Sequence, residues 1–278
     1  FARGVLTPIG HAAIDPAGRG ELDAGFPAFV DRRVQVLVAR RHLVGCGARP
    51  DLEGAAPVGI DVGGLAQAVD DAQLGLADGA VVGCFQGRME FGPRALGNRS
   101  ILADARSADM QRQLNLKIKQ RESFRPFAPA VMAEHAHHYF DLAHASPYML
   151  LVAKLTPQQR LPVAAQLQGL AQREQLRSTL PGITHVDYSA RVQTVDQQQQ
   201  PAFYALLQAF YQLTGTAVLI NTSFNVRGEP PVCTPAEAIA GFLATDMDYL
   251  LLGDCLLCKA EQPLTAINQA KQRYFTPD

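Results

Sequence analysis

The sequence has no tryptophan among its 278 residues, only 18% charged side chains, and a formal net charge of −1. So small a net charge excludes a general attraction to nucleic acid or to an anionic membrane surface. No apolar run is long enough to span a bilayer, and none has the build of a secretory signal. Cysteine is scarce as well. Five cysteines, an odd number at irregular spacing, do not make a disulfide framework, so a reducing cytoplasm is the expected setting. The shortage of charge does not signal disorder. At 47% hydrophobic residues the chain can bury a sizeable core, in one large domain or two unequal ones. It opens at Phe1 rather than methionine, which fits a processed chain or a piece of something longer.

What charge there is lies unevenly. From Arg88 to Arg125 nine basic side chains face four acidic ones, a local net of +5 in an otherwise balanced chain. The densest part, Gly87 to Asp104, reads Gly-Arg-Met-Glu-Phe-Gly-Pro-Arg-Ala-Leu-Gly-Asn-Arg-Ser-Ile-Leu-Ala-Asp and follows the strand-like run Ala80 to Phe85. Arginine offers a rigid fork of donors suited to phosphate or carboxylate, and glycine lets backbone amides approach an anion closely. The stretch therefore reads as an anion-binding loop; a surface loop with solvated arginines is the alternative. One basic segment in a neutral protein suits a small anionic ligand better than a long polyanion.

Helices are expected at Leu65 to Ala77, stopped by Asp78-Gly79, at Ser107 to Ile118 with Ser107 as N-cap, at Pro201 to Leu213, and at Pro235 to Ala244 capped by Thr234. Strands are expected at Pro147 to Lys154, Ala217 to Ile220, Asp248 to Leu252 and Ile183 to Val195. In the last of these His185, Asp187, Ser189, Arg191 and Gln193 share one parity and hence one face, which tilts that face toward a site. Arg121 and Arg125 beside Phe124 and Phe127 form a basic and aromatic patch of a kind that can sandwich a purine. Asn221 to Asn225 places small hydroxyl and amide groups at a strand end, good for phosphate oxygens and equally good for a turn.

Several patterns point nowhere chemical. His135, His137 and His138 lack metal spacing, and Cys255-Leu-Leu-Cys258, with its apolar interior, reads as buried thiols. Thr156 to Thr179 is a glutamine-rich helix or insertion. Val58 to Gly64, a strand ending in Asp61 and then glycines, is a weak match to the phosphate hairpin of actin-like ATPases. Val34 to Leu43 fits neither a helical nor a strand period.

The Gly87 to Ser100 run resembles the C-terminal region of the O-carbamoyltransferases, the family of the nodulation protein NodU and of the cephamycin and tobramycin carbamoyltransferases. So do Lys117-Ile-Lys-Gln-Arg-Glu-Ser-Phe-Arg-Pro-Phe-Ala-Pro129, His185-Val-Asp-Tyr-Ser-Ala-Arg-Val-Gln-Thr194 and Asn221-Thr-Ser-Phe-Asn-Val-Arg-Gly-Glu-Pro230. The likeness runs from about Ala80 to Leu257; Tyr188 departs from it, standing where the family usually has glycine. The resemblance implies an α/β fold, a YrdC-like twisted, mixed open sheet with flanking helices, over residues 80–278. Residues 1–79 would then be a poorly defined segment, remnant of or linker from a larger N-terminal domain.

It further implies that ATP, with Mg2+, and carbamoyl phosphate are converted to carbamoyl adenylate for O-carbamoylation of a small-molecule hydroxyl. The family's iron or other metal site is expected only in an N-terminal domain, supplied here by a separate metal-binding transferase domain or subunit. Carried onto this sequence, Arg94, Arg99, Lys119 and Arg191 would hold phosphates or the carbamoyl group. Ser223 and Asn225 would complete the pocket; Arg88, Asn98, Ser100, Arg121, His185 and Asn221 would bind substrate or nucleotide around it. No metal ligand is expected in this region. The competing reading is a non-catalytic nucleotide- or RNA-binding YrdC-like module.

Overall fold

A computed structural model describes residues 63–163 and 175–274. The readings at Val34 to Leu43 and in the Asp61 hairpin lie outside those residues, as does the middle of the glutamine-rich segment. The chain forms helix α1 (Gly63–Ala77) and strand β1 (Val82–Phe85). Strand β2 (Arg99–Asp104) follows, and then a short turn of helix α2 (Met110–Gln113). Strand β3 (Ala128–Met132), helix α3 (Ala136–Tyr139), strand β4 (Phe140–Asp141) and strand β5 (Leu151–Leu155) come next. Strand β6 (Ser189–Val195), helix α4 (Pro201–Thr214) and strand β7 (Val218–Ser223) complete the middle. Helix α5 (Pro235–Ala244), the hairpin β8 (Tyr249–Leu252) and β9 (Cys255–Cys258), and helix α6 (Leu264–Tyr274) end it.

The strands make one open nine-stranded sheet in the order β4-β5-β6-β3-β7-β2-β1-β8-β9. It is mixed: β3 with β6 and β1 with β8 run parallel, and the other neighbours are antiparallel. Cross-strand partners share a face, so the pairing fixes what each face carries. One face presents Val82, Leu102, Ala130, Val195, Leu219 and Leu251. Against it lie Ala68, Ala72 and Leu76 of α1 and Phe203, Leu206, Leu207 and Phe210 of α4. Each such aliphatic or aromatic side chain contributes about 1.5–3 kcal/mol when taken from water, so this face anchors the fold. Further along β6 and β7 the same face turns polar, through Arg191, Gln193, Asn221 and Ser223.

Where local signals are strong the expected elements appear. Thr234 and Glu237 form a reciprocal capping box at the start of α5, and α1 ends at the Asp78-Gly79 turn with Gly79 at a φ of 87°. Four expectations change. The helix over Ser107 to Ile118 is an α-turn preceded by Asp109 rather than Ser107, and it widens into a π-turn at Leu114–Ile118. The cause is Asn115, fully buried, whose amide donates to the carbonyls of Ser123 and Arg125 while Arg121 Nε donates to its oxygen at 2.6 Å. Strand β6 starts at Ser189, not Ile183, because Tyr188 takes a left-handed φ of 65° and His185 N donates to Ser189 O, closing a turn. Strand β5 starts at Leu151, not Pro147, because Met149 turns at a φ of 55°. Cys255 and Cys258 are not buried thiols either. They lie on an edge strand, one exposed and one half-buried, and their odd spacing points them to opposite faces.

Gly97 ties the basic loop to this core. Its φ is 125°, and a Cβ there would lie 2.5 Å from the Phe203 ring of α4. Gly97→Ala is therefore expected to cost about 2 kcal/mol or more, through left-handed strain and displacement of a core aromatic. The shift in urea midpoint relative to the native chain measures it.

Candidate functional site

The loop from Gly87 to Asn98 is folded by its own acid. Glu90 Oε1 accepts hydrogen bonds from the amides of Leu96 (2.7 Å), Asn98 (2.8 Å) and Arg99 (3.4 Å). On the sheet side, Gln193 Nε2 donates to Leu96 O at 2.8 Å, and Asn221 Nδ2 donates to Ala95 O at 3.2 Å and to Gln193 Oε1 at 2.7 Å. The Ala95–Leu96 peptide is thus held from both sides, its amide by Glu90 and its carbonyl by Asn221.

This brings Arg94 to the wall of a cleft of about 540 Å3, with Arg121, Arg125, Phe127, Met149, Val152, His185, Arg191, Asn221, Thr222 and Ser223 among its lining residues. Four guanidinium groups line it and no carboxylate does. A smaller cleft of about 260 Å3 shares the wall made by Arg121, Arg125, Thr222 and Ser223, and adds Lys119, Asn225 and Arg227. Burial, and then the Arg94 guanidinium, pull Arg191 below the ordinary arginine value; burial, and then Arg125, do the same to Arg121. Nε of both Arg94 and Arg191 is buried without a hydrogen-bond partner. Among the described residues the ion pairs are Arg106–Asp104, Arg125–Glu122 and Lys271–Asp246, so neither Arg94 nor Arg191 is paired with an acid. Such an arrangement is suited to an anion, which would neutralise the clustered charge and accept from the unpartnered donors.

Of the residues expected from the sequence, Arg94, Arg121, His185, Arg191, Asn221 and Ser223 line the larger cleft and Lys119 and Asn225 the smaller. Arg99, Arg88, Asn98 and Ser100 are not brought there. The β1–β2–β7 register puts Ser100 opposite Cys84 and Ser223, on the cleft's face, but fully buried. Its neighbour Arg99 points to the other face. There its guanidinium stacks 3.6 Å from the Phe85 ring and donates to the carbonyls of Gln86, Gly87 and Asn98. Asn98 donates to Arg88 O, and Arg88 itself is exposed. Phe124 and Phe127 do not flank a common space: Phe127 lies in the larger cleft under Arg121, and half-exposed Phe124 lines a separate groove. His185 and Asp187 belong to the turn before β6, where Asp187 Oδ1 accepts from Ser189. Sequence reasoning missed Glu90, Met149 and Val152; Gln193 and Thr222 lay in stretches it singled out, the β6 face and the Asn221 to Asn225 strand end.

Lys119 ends the π-turn and is 6% exposed. Its ammonium donates to the carbonyl oxygens of Ser223 and Asn225 and to Asn225 Oδ1 (2.8 Å), so all three donors hold the strand-end turn. Burial, and then Arg121, pull its pKa from 10.5 down to about 7. The unfolded chain therefore keeps a proton between pH 7 and 10.5 that the folded chain gives up. Below pH 7 both states are protonated and burial of the charge costs stability in full; that cost is relieved as pH rises through the window. Relative to a Lys119→Met variant, the native chain should gain stability from pH 7 to pH 10, read from urea unfolding at a series of pH values.

The carboxylates needed for a metal site are absent from the larger cleft, and no group of three His, Cys, Asp or Glu side chains converges anywhere among the described residues. The family description "Carbamoyltransferase C-terminus" matches residues 73–259. An uncharacterised protein of Synechocystis sp. (sll1178) is 55% identical over 206 residues, 73% of this chain and 34% of its own length. The 3'-hydroxymethylcephem-O-carbamoyltransferase of Amycolatopsis lactamdurans is 37% identical over 192 residues, 69% of this chain and 33% of its own. A solved structure of full-length HypF, in a phosphate- and nucleotide-bound form, aligns with 68% of this chain and 25% of its own at 17% identity and a TM-score of 0.45. The chain spans a quarter to a third of the length of the curated relatives it matches. With its matched segment running from the second half of α1 into the 3-10 turn after β9, the chain belongs to the carbamoyltransferase C-terminus family.

Proposed function

We propose that this chain is the activating region of an O-carbamoyltransferase. It binds ATP and carbamoyl phosphate in the paired clefts and forms carbamoyl adenylate, which a further metal-binding transferase domain or subunit uses to carbamoylate a small-molecule hydroxyl. The observation that carries this is the set of four guanidiniums on one cleft without an acid, in a member of the carbamoyltransferase C-terminus family.

The chemistry suits such a site. Hydrolysis of carbamoyl phosphate gives carbamate and phosphate; a carbamate oxygen then forms a bond to the α-phosphorus of ATP as the bond to pyrophosphate breaks. Both reactants are anions, so the barrier is lowered mainly by neutralising charge and aligning the pair. Arg94 and Arg191, with free donors on one wall, are suited to clamp phosphoryl oxygens; Arg121, held by Asn115 and stacked over Phe127, spans both clefts. Asn221 is already committed to Gln193 and the loop, which makes it a support. Mg2+ fits only as an ion carried in by the nucleotide and water, because the sole acid in the smaller cleft, Glu122, is 3.7 Å from Arg125. It would screen phosphate charge when bound.

Pyrophosphate release from ATP should depend on carbamoyl phosphate and fall about a hundredfold in Arg94→Ala or Arg191→Ala, the usual cost of removing one charge-stabilising donor. A folded chain that binds neither substrate at millimolar concentration overturns the proposal. RNA binding that is insensitive to ATP and falls steeply with salt would favour the non-catalytic module instead.

A further inference from the structure

The acid that folds the basic loop has a place in the site's chemistry. Between Gly87 and Ala103 the sequence holds three arginines and one acid, Glu90. A carboxylate in such company would ordinarily pair with a guanidinium. Glu90 makes no salt bridge; its oxygen is taken by three backbone amides, those of Leu96, Asn98 and Arg99. Two consequences follow. The amides from Leu96 to Arg99 are already occupied, those of Leu96, Asn98 and Arg99 by Glu90 and that of Gly97 by Ser100 Oγ, so an anion cannot use them. And the acid nearest Arg94 in sequence is drawn away from it, leaving Arg94 Nε buried and without a partner.

Between acid and arginine the backbone is exposed and sharply punctuated. Phe91 is fully exposed, Gly92 has a φ of 144°, and Pro93 fixes the next turn of the backbone. Beyond Arg94, Ala95 is buried, and its carbonyl and that of Leu96 are held by Asn221 and Gln193. The Leu96 peptide is thereby gripped on its amide by Glu90 and on its carbonyl by the sheet.

We propose that Glu90 is the positioning residue of this site: its carboxylate is a built-in anion that gathers the loop amides and so sets Arg94 beside Arg191 with its donors free. The inference rests on reading the cleft as an anion site.

The test uses the full chain, inorganic pyrophosphate as probe in titration calorimetry, and hydrogen exchange at the Leu96 and Asn98 amides. Glu90→Ala should weaken pyrophosphate binding about a hundredfold, as expected for loss of a charged acceptor with several partners. It should also speed exchange at both amides. Added formate, small enough to enter the vacated nest of amides, should restore both. Because Glu90 acts through Arg94, the double variant Glu90→Ala/Arg94→Ala should bind no more weakly than Arg94→Ala alone. Should Glu90→Ala not fold, Glu90→Gln keeps the shape with a neutral acceptor and should lose about tenfold in affinity without response to formate. Native affinity in either variant, full additivity in the double variant, or unchanged exchange at Leu96 and Asn98 overturns the role given to Glu90. A native chain that does not bind pyrophosphate overturns instead the anion reading of the cleft, and the exchange result alone then decides whether Glu90 holds the loop.

Discussion

Two guanidinium groups that repel each other, Arg94 and Arg191, share one cleft with no acid between them, and the surrounding structure is what keeps them there. Neither would choose that position in isolation. Arg191 is held because it lies on β6, inside the sheet, where register with Val152 leaves it no alternative face. Arg94 is held because the loop that carries it is tied to Gln193 and Asn221 on the same face. The opposing free energy comes from the apolar part of that face, where α1 and α4 cover Val82, Leu102, Ala130 and Leu219. At about 1.5–3 kcal/mol for each large side chain, a few of those contacts offset the local repulsion. The polar and apolar ends of one sheet face are therefore coupled through the rigidity of β6 and β7.

Backbone strain falls around the same place. Among the described residues, three that are not glycine have positive φ: Gln120, Met149 and Tyr188. Gln120 sits between Lys119 and Arg121; Met149 lines the cleft with its sulfur 4.0 Å from Arg191 Nη2; Tyr188 closes the turn that carries His185. Each such conformation costs about 1–3 kcal/mol unless its surroundings enforce it. At Tyr188 glycine would avoid the cost, and the tyrosine ring instead receives the Arg160 guanidinium at 5.4 Å. The π-turn before Lys119 belongs to the same pattern, since widened helical turns arise where a side chain such as Asn115 is drawn inward.

How far the sequence could be read depended on whether a feature was local. Period and capping are local, and α1, α4, α5 and the existence of β1 and β7 were legible from them, down to the cap at Thr234. Arg94, Arg121, Arg191 and Ser223 were legible by residue type in separate stretches, and it was the family resemblance that joined them into one site. What escaped depends on pairing between distant segments. Nothing near Glu90 in the sequence says that its partners are the amides of Leu96 and Asn98 rather than Arg88 or Arg94. The early end of regularity before β6 and β5 came from single left-handed residues, Tyr188 and Met149, whose side chains give no warning of it. Arg99 and Arg94, five residues apart in one motif, looked equivalent. Strand register separates them, placing Arg99 beside Phe85 on the opposite face of the sheet.

Arg99 and Lys119 nevertheless share one manner of being held. Donors can be satisfied by carboxylates, which cancel their charge, or by carbonyls, which do not. Arg99 donates to the carbonyls of Gln86, Gly87 and Asn98; Lys119 donates to the carbonyls of Ser223 and Asn225 and to an amide oxygen. Arg99 has the Glu90 carboxylate nearby and lies on the face away from the clefts, whereas Lys119 has no carboxylate among its hydrogen-bond partners and lines the smaller cleft. For Arg99 the positive charge persists at any physiological pH. For Lys119, which burial and Arg121 pull down to about 7, it depends on pH, and a negative charge placed nearby would favour the ammonium. A cation held by backbone oxygens thus keeps its charge uncancelled, and at Lys119 burial makes that charge the part of the smaller cleft that changes with pH near neutrality.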